Sequence, residues 1–248
     1  MTKISIITAC FQAEKTLGQT IKSLEVQTHS DLEWIVVDGG SSDRTLDIAQ
    51  QSSLNSRIIS EPDQGIYDAI NKGLALATGD IVGLLHADDQ LAYPEALSDI
   101  EQAFQNPNVQ ATYANLNYCR PNGSVLRRWV SGKYNNRGWN SFSCGWMPPH
   151  PTLYLRKETA EKIGPYRLDL GSAADYEYML RAFHCQRIPL QYIHKVLVNM
   201  TTGGASNISF KARLKANRFD RKAWALNHLK TPLFLGLLKP LRKLSQYI

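Results

Sequence analysis

Two carboxylates and an imidazole stand together in His86-Ala87-Asp88-Asp89, directly after the apolar run Ile81-Val82-Gly83-Leu84-Leu85. Such a run, entered through Gly79-Asp80, predicts a short strand buried on both faces. Polar groups at the carboxyl end of a buried strand lie where open α/β sheets hold their ligands. Hard oxygen ligands there suit Mg²⁺ or Mn²⁺, and a divalent ion in turn suits a diphosphate. The plainer alternative is a turn in which Asp89 caps a helix beginning near Tyr93-Pro94.

Two further polar clusters invite the same question. Glu61-Pro-Asp-Gln-Gly-Ile-Tyr-Asp-Ala-Ile-Asn-Lys-Gly73 reads as a turn into a helix. Its Asp63, Gly65, Asp68, Asn71 and Lys72 can cap that helix and hold a nucleotide, although a solvated helical face carries the same charges. In Ala173-Ala174-Asp175, the acid precedes a helix whose Tyr178, Met179 and Phe183 turn inward. Taken alone, it is an N-cap.

The elements around these groups alternate. A strand over residues 4–8 leads to a helix with Leu17, Ile21, Leu24 and Val26 at helical spacing, then a strand over 33–38. The turn Asp38-Gly39-Gly40-Ser41-Ser42-Asp43 opens the next helix at Thr45, a strand follows at 57–60, and a helix runs through Ala69 to Leu76. This order predicts a parallel sheet with crossover helices. It excludes a dinucleotide-binding enzyme, because Ala9-Cys10-Phe11-Gln12-Ala13-Glu14 lacks the Gly-x-Gly-x-x-Gly turn that approaches a pyrophosphate.

A helix from Tyr93 to Phe104, a strand over 110–118 and a turn at Pro121-Asn-Gly-Ser come next. Residues 129–146 mix Trp129, Tyr134, Trp139, Phe142 and Trp146 with Gly, Asn and Ser, and fit no regular period. Such rings are either sugar-stacking surfaces on a loop, with Trp146 as an acceptor contact, or core filler. Met147-Pro-Pro-His150 stiffens the approach to a strand ending at Arg156, and a helix over 157–163 closes at Gly164-Pro165.

The 248 residues, 43% of them hydrophobic, suffice for one large α/β domain or a domain with an appendage. Cys10, Cys119, Cys144 and Cys185 are scattered, which points to reduced thiols rather than a zinc site or a disulfide framework. The amino terminus reads as a strand rather than a signal peptide. No apolar run approaches the roughly 20 residues that cross a bilayer, so a cytoplasmic location is expected.

The net charge of +6 is unevenly placed. From Asn207 onward there are ten basic residues against Asp220, which leaves the preceding 206 residues with 18 basic and 21 acidic side chains. The body therefore has no call for nucleic acid. In the tail, Ala212, Ala216, Phe219, Ala223 and Leu226 form one apolar stripe. Phe234, Leu237, Leu238, Leu241, Leu244 and Ile248 form another, opposite Lys239, Arg242 and Lys243, with a kink expected at Pro240. Basic residues beside such stripes suit an anionic membrane surface; the alternatives are packing on the protein's own sheet or on a second copy in a homodimer.

Ser5-Ile-Ile-Thr8, Val36-Val-Asp-Gly-Gly-Ser-Ser-Asp43, Asp63-Gln-Gly-Ile-Tyr-Asp-Ala-Ile-Asn-Lys-Gly73, Gly79-Asp80 and Ala87-Asp88-Asp89, in this order, resemble the family 2 glycosyltransferases. The likeness is closest to the bacterial branch that builds capsule, exopolysaccharide or O-antigen, and it runs to about Ser206. It implies a GT-A fold, an α/β architecture with a mostly parallel central sheet flanked by helices. Residues 1–206 would be the catalytic domain and 207–248 a basic amphipathic helical tail. The resemblance also implies a nucleotide-sugar donor, UDP-linked in the first instance, Mn²⁺ or Mg²⁺ as cofactor, and inversion at the anomeric carbon.

Residue by residue, it places Thr8, Phe11 and Asp38 around the nucleoside, with Asp63, Asn71 and Lys72 nearby. Ala87 and Asp88 meet the diphosphate. Asp88 is the metal-binding end of the Asp-x-Asp motif, and His86 stands in for the motif's first acid. Asp175 is the catalytic base, and His150 lines the acceptor side. The acceptor implied is a saccharide or lipid-linked saccharide, which makes a peripheral position on the inner face of the membrane sensible. Gly39 and Ala174 also stand where relatives carry acids. A nucleotidyltransferase is the enzymatic alternative, though its Gly-rich amino-terminal loop is missing; a donor-binding pseudoenzyme is the other, suggested by His86 and Ala174.

Overall fold

Seven consecutive buried residues form the first strand, β1 (Ile4–Cys10), and the apolar run exists because the strand is covered on both faces. With β2 (Leu32–Asp38), β3 (Ser56–Ser60) and β4 (Ile81–Leu84) it makes a parallel sheet in the order β3-β2-β1-β4. The crossovers are α1 (Leu17–Glu25), α2 (Thr45–Gln50) and α3 (Ile66–Leu76). On α1, Leu17, Ile21 and Leu24 are buried as their spacing predicts, whereas Val26 lies past the helix end and is exposed.

The chain continues through β5 (Asp89–Leu91), α4 (Ala96–Phe104), β6 (Ala111–Cys119), β7 (Val125–Trp129), β8 (Tyr154–Arg156), α5 (Lys157–Ile163), α6 (Ala174–Met179), β9 (Leu190–Thr201), α7 (Phe210–Leu226) and α8 (Leu235–Leu244). The strand β8 joins β4 and β6 antiparallel, β9 runs parallel to β6, and β5 and β7 add antiparallel edges on β9 and β6. The result is the expected α/β fold, a central sheet flanked by helices with an apolar core on each face. This computed structural model describes residues 2–202, 210–233 and 235–244.

Three strands depart from the sequence reading. Asp89 does not cap a helix; it opens β5 and pairs with Met200 of β9. Neither β7 nor the twelve-residue β9 is signalled by a clean alternation of polar and apolar residues.

The aromatic segment is also not a free loop. Trp129 belongs to β7, and Phe142, Trp146 and Tyr134 pack against Tyr113 and Phe183. Trp146 is only 2% exposed and donates its indole N–H to the Ser131 carbonyl at 2.7 Å. Its expected role as an acceptor contact is therefore corrected: the ring is core, with no face turned outward.

The tail helices are part of the same packing. Ala223, Trp224 and Leu235 are buried in the core that also holds Phe142, Tyr176 and Tyr178. Gly145 has φ +73°, and a Cβ there would lie 2.9 Å from the backbone of Lys239, so α8 and this turn meet main chain to main chain. The side chains of Ala212, Ala216, Phe234, Leu237, Pro240, Leu244 and Ile248, and residues 203–206, lie outside the described residues.

Candidate active site

The carboxyl ends of β1 and β2 stand side by side, with Cys10 opposite Asp38. Asp38 is fully buried, and its carboxylate accepts from the Gly40 N–H (3.1 Å), the Ser41 N–H (2.9 Å), the Ser60 hydroxyl (2.7 Å) and the Ser41 hydroxyl. These bonds make it the anchor of the turn at the end of β2. Thr8 is likewise fully buried, its hydroxyl accepting the Trp34 indole N–H at 2.9 Å. These two residues help to build the ledge.

What the ledge presents is Phe11, 64% exposed on the segment after β1, together with Asp63. A Cβ on Gly39 would fall 2.6 Å from Oδ2 of Asp63 and 3.4 Å from the Phe11 ring. The space left by the missing acid at position 39 is thus taken by the carboxylate of Asp63, whose other oxygen accepts the Gly65 N–H at 2.7 Å. An aromatic face beside a carboxylate is suited to a base and the hydroxyls of a nucleoside.

Asn71 and Lys72 are occupied elsewhere. Asn71 binds both the carbonyl and the N–H of Tyr166, at 2.9 and 2.8 Å. It lines a hollow of about 270 Å³ with Val82, Lys157, Gly164 and Pro165, away from the ledge. Lys72 is paired with Glu61 at 2.7 Å and with Asp68 at 3.6 Å. Both side chains therefore tie the fold, while Asn71 keeps a second amide hydrogen and a second oxygen lone pair beyond those spent on Tyr166.

At the end of β4, a turn closed by the Asp89 N–H on the His86 carbonyl (3.0 Å) sets out His86, Ala87, Asp88 and Asp89. Asp88 is half-buried, while Asp89 is fully buried with both carboxylate oxygens lacking a partner among the described residues. Burial, reinforced by Asp88, holds the Asp89 carboxyl well above the usual carboxylate range. Burial also keeps the His86 imidazole neutral against the pull of Asp88, and its buried Nδ1 has no partner among the described residues.

Among the described residues no three His, Cys, Asp or Glu side chains converge on one point. A divalent cation would take Asp88 and the neutral His86 from the protein and its remaining ligands from diphosphate oxygens and water, the usual arrangement for Mg²⁺ or Mn²⁺ at a nucleotide. The orphaned His86 nitrogen fits that donor set.

Asp175 is the second residue of α6 rather than its cap, and it is half-buried. Burial pushes its carboxyl up to about 6, against the lowering effect of Lys239 and of the Tyr176 N–H, which Oδ1 accepts at 2.6 Å. Tyr67 lies against Asp175, and its ring stacks with that of Tyr166 at 5.7 Å. The Tyr166 hydroxyl meets Nε2 of His150 at 2.9 Å, and the His150 ring lies 6.2 Å from that of His86. A continuous row of rings therefore joins Asp175 to the turn carrying Asp88. Tyr118 of β6 lies in the fields of both Asp89 and Asp175.

His150 is 7% exposed, and burial together with His86 brings its pKa down to about 3. It acts as a neutral link in that row. Its ring faces His86 and Tyr166. Tyr67, Tyr166 and Tyr118 went unmarked in the sequence, and Tyr67 alone carried a signal, its place in the Gly65-Ile66-Tyr67-Asp68 stretch.

Residues 5–163 match the family model described as glycosyl transferase family 2. An uncharacterized glycosyltransferase of Mycobacterium tuberculosis is 31% identical over 192 residues, covering 72% of this chain and 68% of its own. A PGL/p-HBAD biosynthesis glycosyltransferase of Mycobacterium bovis is 30% identical over 213 residues, covering 82% and 78%. Among solved structures, residues 1–349 of Staphylococcus aureus TarS in complex with UDP-GlcNAc superpose with a TM-score of 0.72 at 19% identity, over 95% of this chain and 69% of that one. The mannosyltransferase PcManGT of Pyrobaculum calidifontis, in complex with GDP-Man and Mn²⁺, gives 0.67 at 18% identity over 96% and 68%. The chain spans 45% of the longer TarS chain.

Proposed function

The chain belongs to glycosyl transferase family 2, and from that premise we propose that it transfers a sugar from a UDP-sugar, with inversion, to a saccharide or lipid-linked acceptor in cell-surface glycan assembly. The observation that carries the reading is the row of rings joining half-buried Asp175 to the Asp88 turn. The UDP-GlcNAc complex of the TarS structure supports the donor class.

In this reading Phe11 and Asp63 hold the nucleoside, and Asp88 with His86 holds Mn²⁺ or Mg²⁺ against the diphosphate. The cation supplies charge neutralisation for the departing phosphates. Asp175 takes the proton of the acceptor hydroxyl as that oxygen forms its bond to the anomeric carbon. The bond from that carbon to the diphosphate oxygen breaks, and its electron pair leaves with UDP. One displacement inverts the centre, and no covalent enzyme intermediate is required.

We read residues 1–206 as the catalytic unit and 207–248 as a tail serving it. Exposed Trp139, Leu233 and Leu241, with the Arg242 guanidinium 4.7 Å from the Trp139 ring centre, support a membrane-surface role for the tail face. No helix among the described residues is long and apolar enough to cross a membrane.

The test is UDP release from UDP-GlcNAc with Mn²⁺ or Mg²⁺, alone and with saccharide acceptors. Release that is lost in Asp175→Asn and in Asp88→Ala supports the enzyme. A folded wild type that binds the donor and turns over none of it would favour a pseudoenzyme.

A further inference from the structure

Four polar side chains lie in register across neighbouring strands, beginning beside the Asp88 turn. Gln90 of β5 pairs with Asn199 of β9, Asn199 with Asn117 of β6, and Asn117 with Arg128 of β7. Directly paired residues point to the same face, so the row crosses the sheet over about 14 Å at the usual strand spacing. Its chain neighbours Leu116, Tyr118, Val198 and Met200 pack on one core. By alternation the row faces the other side, as Tyr113 does, and Tyr113 shares its core with Tyr176 and Tyr178 of the helix bearing Asp175.

Within the row, Nε of Arg128 donates to Oδ1 of Asn117 at 3.2 Å, and Nδ2 of Asn117 donates to Oδ1 of Asn199 at 3.1 Å. There the chain of bonds stops. A ladder serving the fold alone would continue into Gln90, because each amide can both donate and accept. Instead the Asn199 amide N–H groups and the whole side-chain amide of Gln90 have no partner among the described residues, and both residues are half-buried. At the far end Arg128 is exposed, and no carboxylate among the described residues pairs with it.

We infer that this row is an acceptor subsite: Gln90 and Asn199 bind the hydroxyls of a saccharide, and Arg128 binds a uronate carboxylate on it. The subsite presupposes the transferase reading, in which an acceptor arrives beside the Asp88 turn. A planar amide matches paired hydroxyls by giving one hydrogen bond and taking another, and a guanidinium meets a carboxylate with two parallel N–H groups. The bond from Nε to Asn117 holds that guanidinium to the end of the row.

The experiment follows the side-chain N–H signals of the full chain by proton–nitrogen correlation, with UDP and Mg²⁺ present to fill the donor side. The signals of Gln90, Asn199 and Arg128 are identified by their loss in Gln90→Ala, Asn199→Ala and Arg128→Ala. Methyl β-glucuronide is expected to shift all three, and methyl β-glucoside to shift the two amides at about ten-fold higher concentration. Arg128→Ala should abolish that preference. Gln90→Ala and Asn199→Ala should each weaken both sugars about five-fold.

Signals that stay in place with both glycosides overturn the subsite. Equal affinity for the two sugars, or a preference that survives Arg128→Ala, overturns its anionic half. If Asn199→Ala does not fold, Gln90→Ala and Arg128→Ala decide the matter. If Asp175→Asn releases UDP like wild type while the glucuronide still shifts these signals, the transfer chemistry falls and the sugar site stands.

Discussion

Oδ2 of Asp63 lies 2.6 Å from where a side chain on Gly39 would begin. The acid missing from the end of β2 is thus supplied from across the ledge, by the turn that leads into α3. Gly39→Ala should push the carboxylate aside while costing the fold less than about 0.5 kcal/mol, because the clash is with a movable side-chain end. Calorimetry with UDP should show about ten-fold weaker binding, and a similar or larger loss for Asp63→Ala.

Asp175 makes activity and stability answer to pH in opposite ways. Activity should rise along a limb centred near pH 6, where the carboxyl becomes a base. Its folded pKa lies above the ordinary aspartate value of 3.8, so its stabilising contribution is complete below that value and is lost as pH rises through about 6. Asp175→Asn should therefore cut UDP release by about 10²-fold or more. Above pH 6 it should also raise stability by about 2 kcal/mol in urea titrations, a gain that vanishes near pH 4.

Glu33 has the reverse sign. Burial pushes it up, but hydrogen bonds from the hydroxyls of Ser5 and Thr78, the Thr78 N–H and Lys3 outweigh burial and hold it at about 2. Its contribution is present above the ordinary glutamate value of 4.5 and is lost as pH falls through about 2. Glu33→Gln should cost on the order of 2–3 kcal/mol at pH 7 and progressively less below pH 4, read from urea midpoints across that range.

Trp146 should behave as core. Trp146→Ala should lower stability by about 3–5 kcal/mol in denaturant unfolding. UDP affinity of the fraction still folded should match wild type. A large loss of UDP binding with unchanged stability would return the ring to the site.

The tail face is best tested by point changes, because cutting the chain near residue 207 would strip Ala223, Trp224 and Leu235 from the core. Trp139→Ala together with Leu241→Ser should reduce flotation with anionic liposomes by about ten-fold and leave the melting temperature unchanged. Unaltered flotation would dismiss the membrane surface. A concentration-dependent change of mass in sedimentation would instead mark the face as a contact between copies.

The strands β1, β2 and β4 were legible because long apolar runs belong to strands covered on both sides. β9 was not, because its burial is mixed along its length and it pairs with β6, far earlier in the chain. β5, at three residues, is too short for any period to register. The side-chain partners of Thr8 and Asp38 were hidden for a related reason. A motif gives a residue's type, but whether its oxygen is already taken depends on Trp34 or Ser60, which fold back from elsewhere. Lys239 looked like one more charge on a basic stripe, and only packing reveals Asp220 and Tyr176 beneath it.

The helix bearing Lys239 is the last described element, yet it closes against Gly145 and the neighbour of Asp175. A substitution in α8 can thus disturb the surroundings of Asp175, although the two lie far apart along the chain.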